Sequence, residues 1–437
     1  MRFSGQHVLV LGLARSGVGA IHLLRSHGAR VTGVDSRTLA DLVDVQKLVE
    51  KSEISYAKDV DASLQGIDCV VVSPGVPATH PLLQDARHLG IPVLGEIELA
   101  YLFLRGPILA ITGSNGKTTT TSLVGHILKE GRVASQVGGN IGYPATEMTA
   151  ASTYQQWNVL ELSSFQLESV HQFHAELAAV LNVTPNHLDR HGDFDSYAAA
   201  KAKIFANQRN SDWAVLNGGN AASAAYAAAT PANLAVFQGP AAQIDDDWIE
   251  LFGTRLMPIR DIRLPGKHNL ENVMAAAVLT SLAGAERSDI ANAVATFQGV
   301  RHRLEFVRNR NGVKFYNDSK ATSVDATVKA LEALDGPLWV ILGGLDKGGS
   351  YLPLLPLLQE KAKSALLIGK AAPIIEEQLR GKINLQQSGD MATAIAFAAS
   401  QAQPGDTILL APACASYDQF RSYEDRGDQF RQAVEQL

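Results

Sequence analysis

The strongest chemical signal in the chain is the run Gly113-Ser114-Asn115-Gly116-Lys117-Thr118. An apolar stretch, Pro107–Thr112, delivers it, and a helical pattern continuing to about Lys129 leaves it. A strand, a glycine-rich turn and a helix N-terminus together gather backbone N–H groups around an anion. Lys117 is then expected to neutralise the β and γ oxygens of a nucleotide, with the Thr118 hydroxyl, beside Thr119, on Mg²⁺. Only Ser114 and Asn115 separate the glycines, fewer residues than the general phosphate-loop spacing has, and Thr112 aligns with its first position. The bland alternative is a glycine turn with a solvated lysine. The flanking strand and helix favour phosphate.

Other reactive side chains stand at the ends of later apolar runs. Glu161 follows Val159-Leu160 and is placed to hold Mg²⁺ directly or through water, a surface carboxylate being the alternative. His187 lies in Asn182-Val183-Thr184-Pro185-Asn186-His187-Leu188, either as a ligand to a second metal ion or as polar surface. Lys201 sits in the Ala-rich helical stretch Tyr197–Ala206, and spacing alone predicts that it faces solvent. Near the N-terminus, Gly12-Leu13-Ala14-Arg15-Ser16-Gly17 resembles a dinucleotide-binding turn, but Ala14 replaces the middle glycine. Asp35 ends the following strand, where an acid would bind ribose hydroxyls; a UDP-sugar fits the pair as well. Late in the chain, Asn317–Thr322, Gly343–Gly348 and Pro412–Ser416 each end an apolar run. Their lysines, hydroxyls and acids suggest a site for an anionic substrate, although individually each is a turn.

These residues need strands to carry them. His7–Leu11, Arg30–Val34, Asp68–Val72 and Ile91–Leu94 read as strands, with a helix over Val18–Ser26. A second cycle contains Pro107–Thr112, Trp157–Leu162, Ala178–Val183, Asp212–Leu216 and Leu234–Phe237, then a hairpin around Gly253. A third contains Val313–Asn317, Leu338–Leu342, Ser364–Ile368 and Thr407–Leu410. Strands alternating with helices imply parallel sheets covered on both faces, so the expectation is an α/β chain of three domains, 1–95, 96–300 and 301–437.

Composition excludes several classes. The chain has 437 residues, 46% hydrophobic and 19% charged, so it is not disordered. A net charge of −6 without basic clusters offers no footprint for nucleic acid. No run approaches the roughly 20 apolar residues of a membrane helix, and the short apolar run Val8–Leu11 does not make a signal peptide. Two distant cysteines, Cys69 and Cys414, make no disulfide framework. The expectation is a soluble, cytoplasmic protein.

Taken together, the motifs resemble the Mur ligase family, which builds peptidoglycan precursors, over essentially the whole chain. The phosphate loop, Asn317–Thr322 and Gly343–Gly348 are shared across that family. Glu161-Leu162-Ser163-Ser164-Phe165-Gln166-Leu167-Glu168 and Ser416-Tyr417-Asp418-Gln419-Phe420 resemble its D-glutamate-adding members. The resemblance implies a Rossmann-like N-terminal domain for a UDP moiety, a central ATPase-like domain and a Rossmann-like C-terminal domain that closes over the amino acid. It implies that Lys201 is carbamylated by CO₂ and helps His187 to position a metal, for two Mg²⁺ ions in all with Thr118 and Glu161. Ala14, Arg15, Ser16, Asp35, Ser36, Arg37, Gly75, Asn140 and Ser163 match UDP-substrate contacts. Asn269, Asn272, Arg303, Asp318 and Lys320 match nucleotide-site positions, Lys320 joining Lys117, His187 and Lys201 in catalysis. Thr322, Lys347, Ser416 and Tyr423 match a D-glutamate pocket, although the family often has Phe where Tyr423 stands. Ala14-Arg15 likewise replaces a common Gly-Leu.

The implied reaction uses ATP, UDP-N-acetylmuramoyl-L-alanine and D-glutamate on a monomeric enzyme. The acceptor carboxylate takes the γ-phosphoryl group, and the amine of D-glutamate then displaces phosphate from the acyl phosphate. Members that add diaminopimelate or lysine carry an arginine-centred motif that is not found near Gly389–Asp406. A nicotinamide-dependent dehydrogenase built on Gly12–Gly17 and Asp35 leaves Gly113–Thr118 and Glu161 unexplained. A nucleotide-regulated binding protein is the third reading.

Overall fold

A computed structural model describes residues 3–346 and 348–437. Among them, twenty strands form three sheets. The first sheet contains β1 (His7–Leu11), β2 (Arg30–Asp35), β3 (Ser55–Lys58), β4 (Cys69–Val72) and β5 (Val93–Gly95), in the order β3-β2-β1-β4-β5. All of its pairings are parallel. The order reverses at β1, so the Gly12–Gly17 turn opens at the switch point where such sheets bind ligands. Gly17 is required there, because a Cβ would stand 2.0 Å from the Gly12 carbonyl oxygen. The helix that follows is Arg15–Ser26, three residues longer at its start than its apolar pattern predicts.

The second sheet contains β6 (Ile108–Thr112), β7 (Ser135–Gly139), β8 (Trp157–Glu161), β9 (Leu177–Val180), β10 (Trp213–Asn217), β11 (Asn233–Phe237), β12 (Ala242–Asp245), β13 (Trp248–Leu251) and β14 (Thr254–Pro258). Its order is β14-β13-β12-β11-β10-β9-β6-β8-β7. From β7 to β11 the strands are parallel, and β12 to β14 form an antiparallel meander with the hairpin at Gly253. The chain reverses direction across the sheet between β6 and β9. The Gly113–Thr118 loop leaves β6 at that point.

The third sheet contains β15 (Glu305–Arg310), β16 (Val313–Asn317), β17 (Leu338–Gly343), β18 (Ala362–Ile368), β19 (Leu385–Gly389) and β20 (Thr407–Leu410), in the order β15-β16-β20-β17-β18-β19. Only β15 runs antiparallel to its neighbour. Central strands such as β17, β18 and β20 are near-continuous apolar runs because helices bury both faces.

Five strands escape the sequence pattern: β3, β7, β12, β15 and β19. Four of them are edges, and edge strands are polar and half-exposed because only one side is paired. β12 is interior but exposes three of its four residues.

The chain divides into two compact units, Met1–Asp261 with Glu271–Ala295, and Ile262–Leu270 with Thr296–Leu437. Within the first, the short helix Glu96–Tyr101 joins the first two sheets through buried carboxylates. Glu96 accepts from the Thr146 N–H and hydroxyl, and Glu98 accepts from three backbone N–H groups, those of His171, Gln172 and Phe173.

Candidate active site

The Gly113–Thr118 run forms a loop between β6 and the helix Lys117–Glu130. Gly116 is in the left-handed region (φ 83°) as N-cap of the helix Lys117–Glu130, and a Cβ there would lie 2.2 Å from Asn272 Oδ1. The loop is pinned from β9's exit: Ser114 N–H donates to the Asn182 carbonyl (2.9 Å) and Asn115 N–H to Asn182 Oδ1 (2.9 Å). Lys117 Nζ folds back onto the carbonyls of Gly113 (2.8 Å) and Ser114 (3.1 Å). Thr118 and Thr119 are buried in the first helical turn, and Thr120 Oγ1 bonds Asn272 Oδ1 (3.2 Å). Gly113, Ser114, Asn115, Gly116, Lys117, Thr118, Thr119 and Asn272 therefore come together in one place.

Lys201 overturns the solvent-facing expectation. It is 1% exposed, its Nζ donates to the Gly113 carbonyl (2.9 Å), and it lies 4.7 Å from the centre of the Tyr197 ring. Alanine-rich flanks hide burial here, since a helix of small residues has no apolar stripe to read. Burial first, and the neighbouring Lys117 charge second, push its pKa down to about 6, so the amine is neutral at physiological pH. Tyr197, at the start of the Ala-rich stretch, joins the same cluster. Ser114 Oγ donates to the Thr184 carbonyl (3.0 Å), so the Tyr197 hydroxyl, 2.9 Å away, donates to Ser114 Oγ.

Glu161 ends β8 at 2% exposure. Asn140 Nδ2 donates to its Oε1 (2.8 Å), whereas Oε2 is buried without a hydrogen-bond partner. An orphaned carboxylate oxygen beside the exit of a phosphate-loop sheet suits a cation. Among the described residues no group of three or more His, Cys, Asp or Glu side chains is clustered as a metal site. Ser163 caps the next helix by accepting from Gln166 N–H (3.2 Å). His187 is exposed, in the left-handed region (φ 52°), with its ring 4.9 Å from Phe165. Beside it, Arg190 stacks on Phe165 (4.2 Å) and pairs with Glu168 (2.9 Å).

At the N-terminal turn, Ala14 caps the helix Arg15–Ser26 without a side-chain bond. Asp35 accepts from Leu13 N–H (2.7 Å), Arg37 N–H (3.0 Å) and Arg37 Nε (2.9 Å). Burial alone would raise the Asp35 pKa, but those donors hold it at about 2. Arg15 lies 5.7 Å from the Tyr143 ring. Ser16 is half-buried, while Ser36 and Gly75 are exposed beside the same strand ends.

In the second unit, Asn269 Nδ2 donates to the Pro265 carbonyl. Asp318 accepts from Leu304 N–H (3.2 Å), and burial pushes its carboxyl up to about 6 against the pull of Arg303 and Lys320. Lys320 Nζ lies 6.0 Å from the Tyr423 ring. Ser319 Oγ donates to the Tyr423 carbonyl (2.8 Å). Thr322 is half-buried after Lys320, Ser416 is buried, and Lys347 lies outside the described residues. The residue that assembles these segments is Arg426, fully buried in the helix Tyr423–Gln436. Its guanidinium donates to Ser319 Oγ (2.9 Å) and the carbonyls of Ser319 (2.9 Å), Cys414 (3.2 Å) and Ala415 (3.3 Å). Its neighbours in sequence are charged or polar, so nothing in the pattern marks it as buried.

Family models match three stretches: a Mur ligase MurD-like N-terminal domain at 6–95, a Mur ligase middle domain at 111–280, and a Mur ligase glutamate ligase domain at 302–414. The chain belongs to the Mur ligase family. This Mur ligase is 51% identical to the UDP-N-acetylmuramoylalanine–D-glutamate ligase of Solibacter usitatus, over all of this chain and 99% of that one. It is 40% identical to the enzyme of the same name from Geobacillus kaustophilus, over 100% and 98%. Among solved structures, UDP-N-acetylmuramate-alanine ligase of Thermotoga maritima has a TM-score of 0.60 at 17% identity, covering 99% of both chains. The MurF ligase of the same organism, in complex with ADP, also gives 0.60 at 17% identity, over 93% of this Mur ligase and 95% of that chain. These last two share the fold.

Proposed function

We propose that this Mur ligase joins D-glutamate to UDP-N-acetylmuramoyl-L-alanine by an ATP-driven amide bond, in peptidoglycan precursor synthesis. The observation that carries the choice of amino acid is the full-length 51% identity to a relative of that name. The phosphate loop supports the use of ATP. In this reading 1–95 holds the UDP moiety, 96–300 the nucleotide and 301–437 the amino acid.

The N–H groups of the loop and of the helix Lys117–Glu130 receive the ATP phosphates, and Lys117 turns its ammonium to the γ-phosphoryl oxygens. An oxygen of the acceptor's alanine carboxylate attacks the γ-phosphorus, the bond to the β-phosphate oxygen breaks, and ADP leaves. The D-glutamate amine nitrogen then attacks the acyl carbon and loses a proton. Phosphate departs as the C–N bond forms. Positioning and charge neutralisation do most of this work.

Thr118 and the unpartnered oxygen of Glu161 would hold one Mg²⁺, and His187 with carbamylated Lys201 a second. Mg²⁺ supplies charge neutralisation at the phosphoryl oxygens when bound. Carbamylation is supported by the neutral, buried amine of Lys201, since only an unprotonated amine adds to CO₂. Arg303, Asp318, Asn269 and Lys320 serve the nucleotide and the phosphoryl group; Thr322, Lys347, Ser416 and Tyr423 hold D-glutamate. Asp35, Ser36, Arg37, Gly75, Asn140, Ser163 and the Ala14–Ser16 turn receive the UDP-substrate. No helix among the described residues is long and apolar enough to cross a membrane, and the enzyme works as a cytoplasmic monomer.

Phosphate release with ATP, Mg²⁺ and UDP-N-acetylmuramoyl-L-alanine tests the reading when measured with and without D-glutamate. Release should require both co-substrates. Release indifferent to D-glutamate, or a preference for lysine or diaminopimelate, would overturn it.

A further inference from the structure

Tyr351 stands outside every motif described above, yet its hydroxyl is buried between two of them. The side chain is 2% exposed and packs in the apolar cluster of Leu354, Leu358 and Ala371, a setting that phenylalanine would fill equally well. Its hydroxyl lies 2.6 Å from Asp346 Oδ1 and 3.0 Å from Cys414 Sγ. A phenol has one proton, and the short contact to a carboxylate claims it. The thiol must then donate to the phenol oxygen. Burial keeps Cys414 in the donor form by pushing its pKa up to about 11.

The chain of bonds continues at both ends. Asp346 Oδ2 accepts from Gly348 N–H (3.1 Å). Leu345 and Ala415 exchange both backbone hydrogen bonds (2.9 and 3.1 Å), and Tyr351 N–H is itself held by Gln378 Oε1 (2.7 Å). Thiol, phenol, carboxylate and amide thus run in sequence from the segment bearing Ser416 to the glycine-rich turn after β17.

We infer that Tyr351 is a positioning residue for the amino-acid pocket, its hydroxyl fixing Asp346 against the Cys414–Ser416 segment. This rests on the D-glutamate reading. Losing a hydrogen bond to a charged group at a site that only positions should weaken the amino acid's binding about tenfold.

The test is steady-state kinetics on the full-length Tyr351→Phe enzyme beside the wild type. KM for D-glutamate should rise about tenfold, with KM for ATP and for the UDP-substrate unchanged and the melting temperature close to wild type. Cys414→Ser, which keeps a donor, should hold the D-glutamate KM near wild type, whereas Cys414→Ala should raise it. Combining Tyr351→Phe with Asp346→Ala should raise KM no further than the larger single change. Equal rises in all three KM values, an unchanged D-glutamate KM, or additive effects in the double variant would overturn the inference. If Tyr351→Phe fails to fold, the Cys414→Ser and Cys414→Ala pair decides by the same KM criterion. If the wild type prefers another amino acid, the D-glutamate reading falls by itself, and the same KM comparison with that amino acid still judges Tyr351.

Discussion

The glycine-rich loop after β6 and the segments that end β16, β17 and β20 gather polar groups at strand ends in opposite ways. Between Gly113 and Thr118 the donors are consecutive, and the backbone itself makes the cradle. In the second unit the polar groups come from the ends of β16, β17 and β20, separated by many residues, and a buried guanidinium holds two of those ends together. The contiguous loop takes its shape from consecutive residues, with Asn182 pinning it from outside. A dispersed site is only as good as the contacts between its loops.

Lys117→Ala should give the largest effect, because it removes a charge from a contiguous cradle that nothing else replaces. Turnover should fall on the order of a thousandfold, with the fold intact by circular dichroism. Near-normal turnover in the folded variant would end the phosphate-loop assignment. Lys201→Ala should come next, lowering kcat on the order of a hundredfold while leaving UDP-substrate binding by calorimetry within about twofold. The wild type, but not the variant, should show a carbamate signal in ¹³C-bicarbonate NMR. Unchanged kcat would reduce Lys201 to packing.

Arg426→Met probes the dispersed site. Removing a buried donor that serves several oxygens should cost about 3 kcal/mol in urea unfolding and raise KM for D-glutamate more than nucleotide Kd. Equal loss in both would mean that Arg426 stabilises the unit without shaping the pocket. The smallest effect belongs to Asp35→Asn. A carboxyl held at about 2, below its ordinary 3.8, contributes stability that is present in full above 3.8 and lost as pH falls through 2. The variant should be less stable than wild type by roughly 2 kcal/mol at pH 7, with the gap closing between those two values. A pH-independent gap would assign the effect to packing.

The contrast also explains what could be read from the sequence. The parallel sheets and the glycine-rich loop after β6 were legible because apolar runs and glycine spacing act over a few residues. Glu161 was legible from its apolar flanks, although its orphaned oxygen was not. Lys201 was misplaced by spacing, since an alanine-rich helix looks alike on every side. Arg426 and Tyr351 carried no signal. One reads as a solvated charge and the other as a core aromatic, and only tertiary structure shows which loops their polar atoms join. The edge strands β3, β7, β15 and β19 were lost because half-exposed strands carry no apolar run.

The Glu98 carboxylate has a further consequence for the first unit. The stretch it serves, His171 to Phe173, belongs to no helix or strand, and such stretches ordinarily trade their amide protons with water within moments. Here three successive amides end on one buried acid. In heavy water those three amides should exchange more slowly than the rest of the coil around them, so isotope exchange would mark this joint although it is drawn as coil.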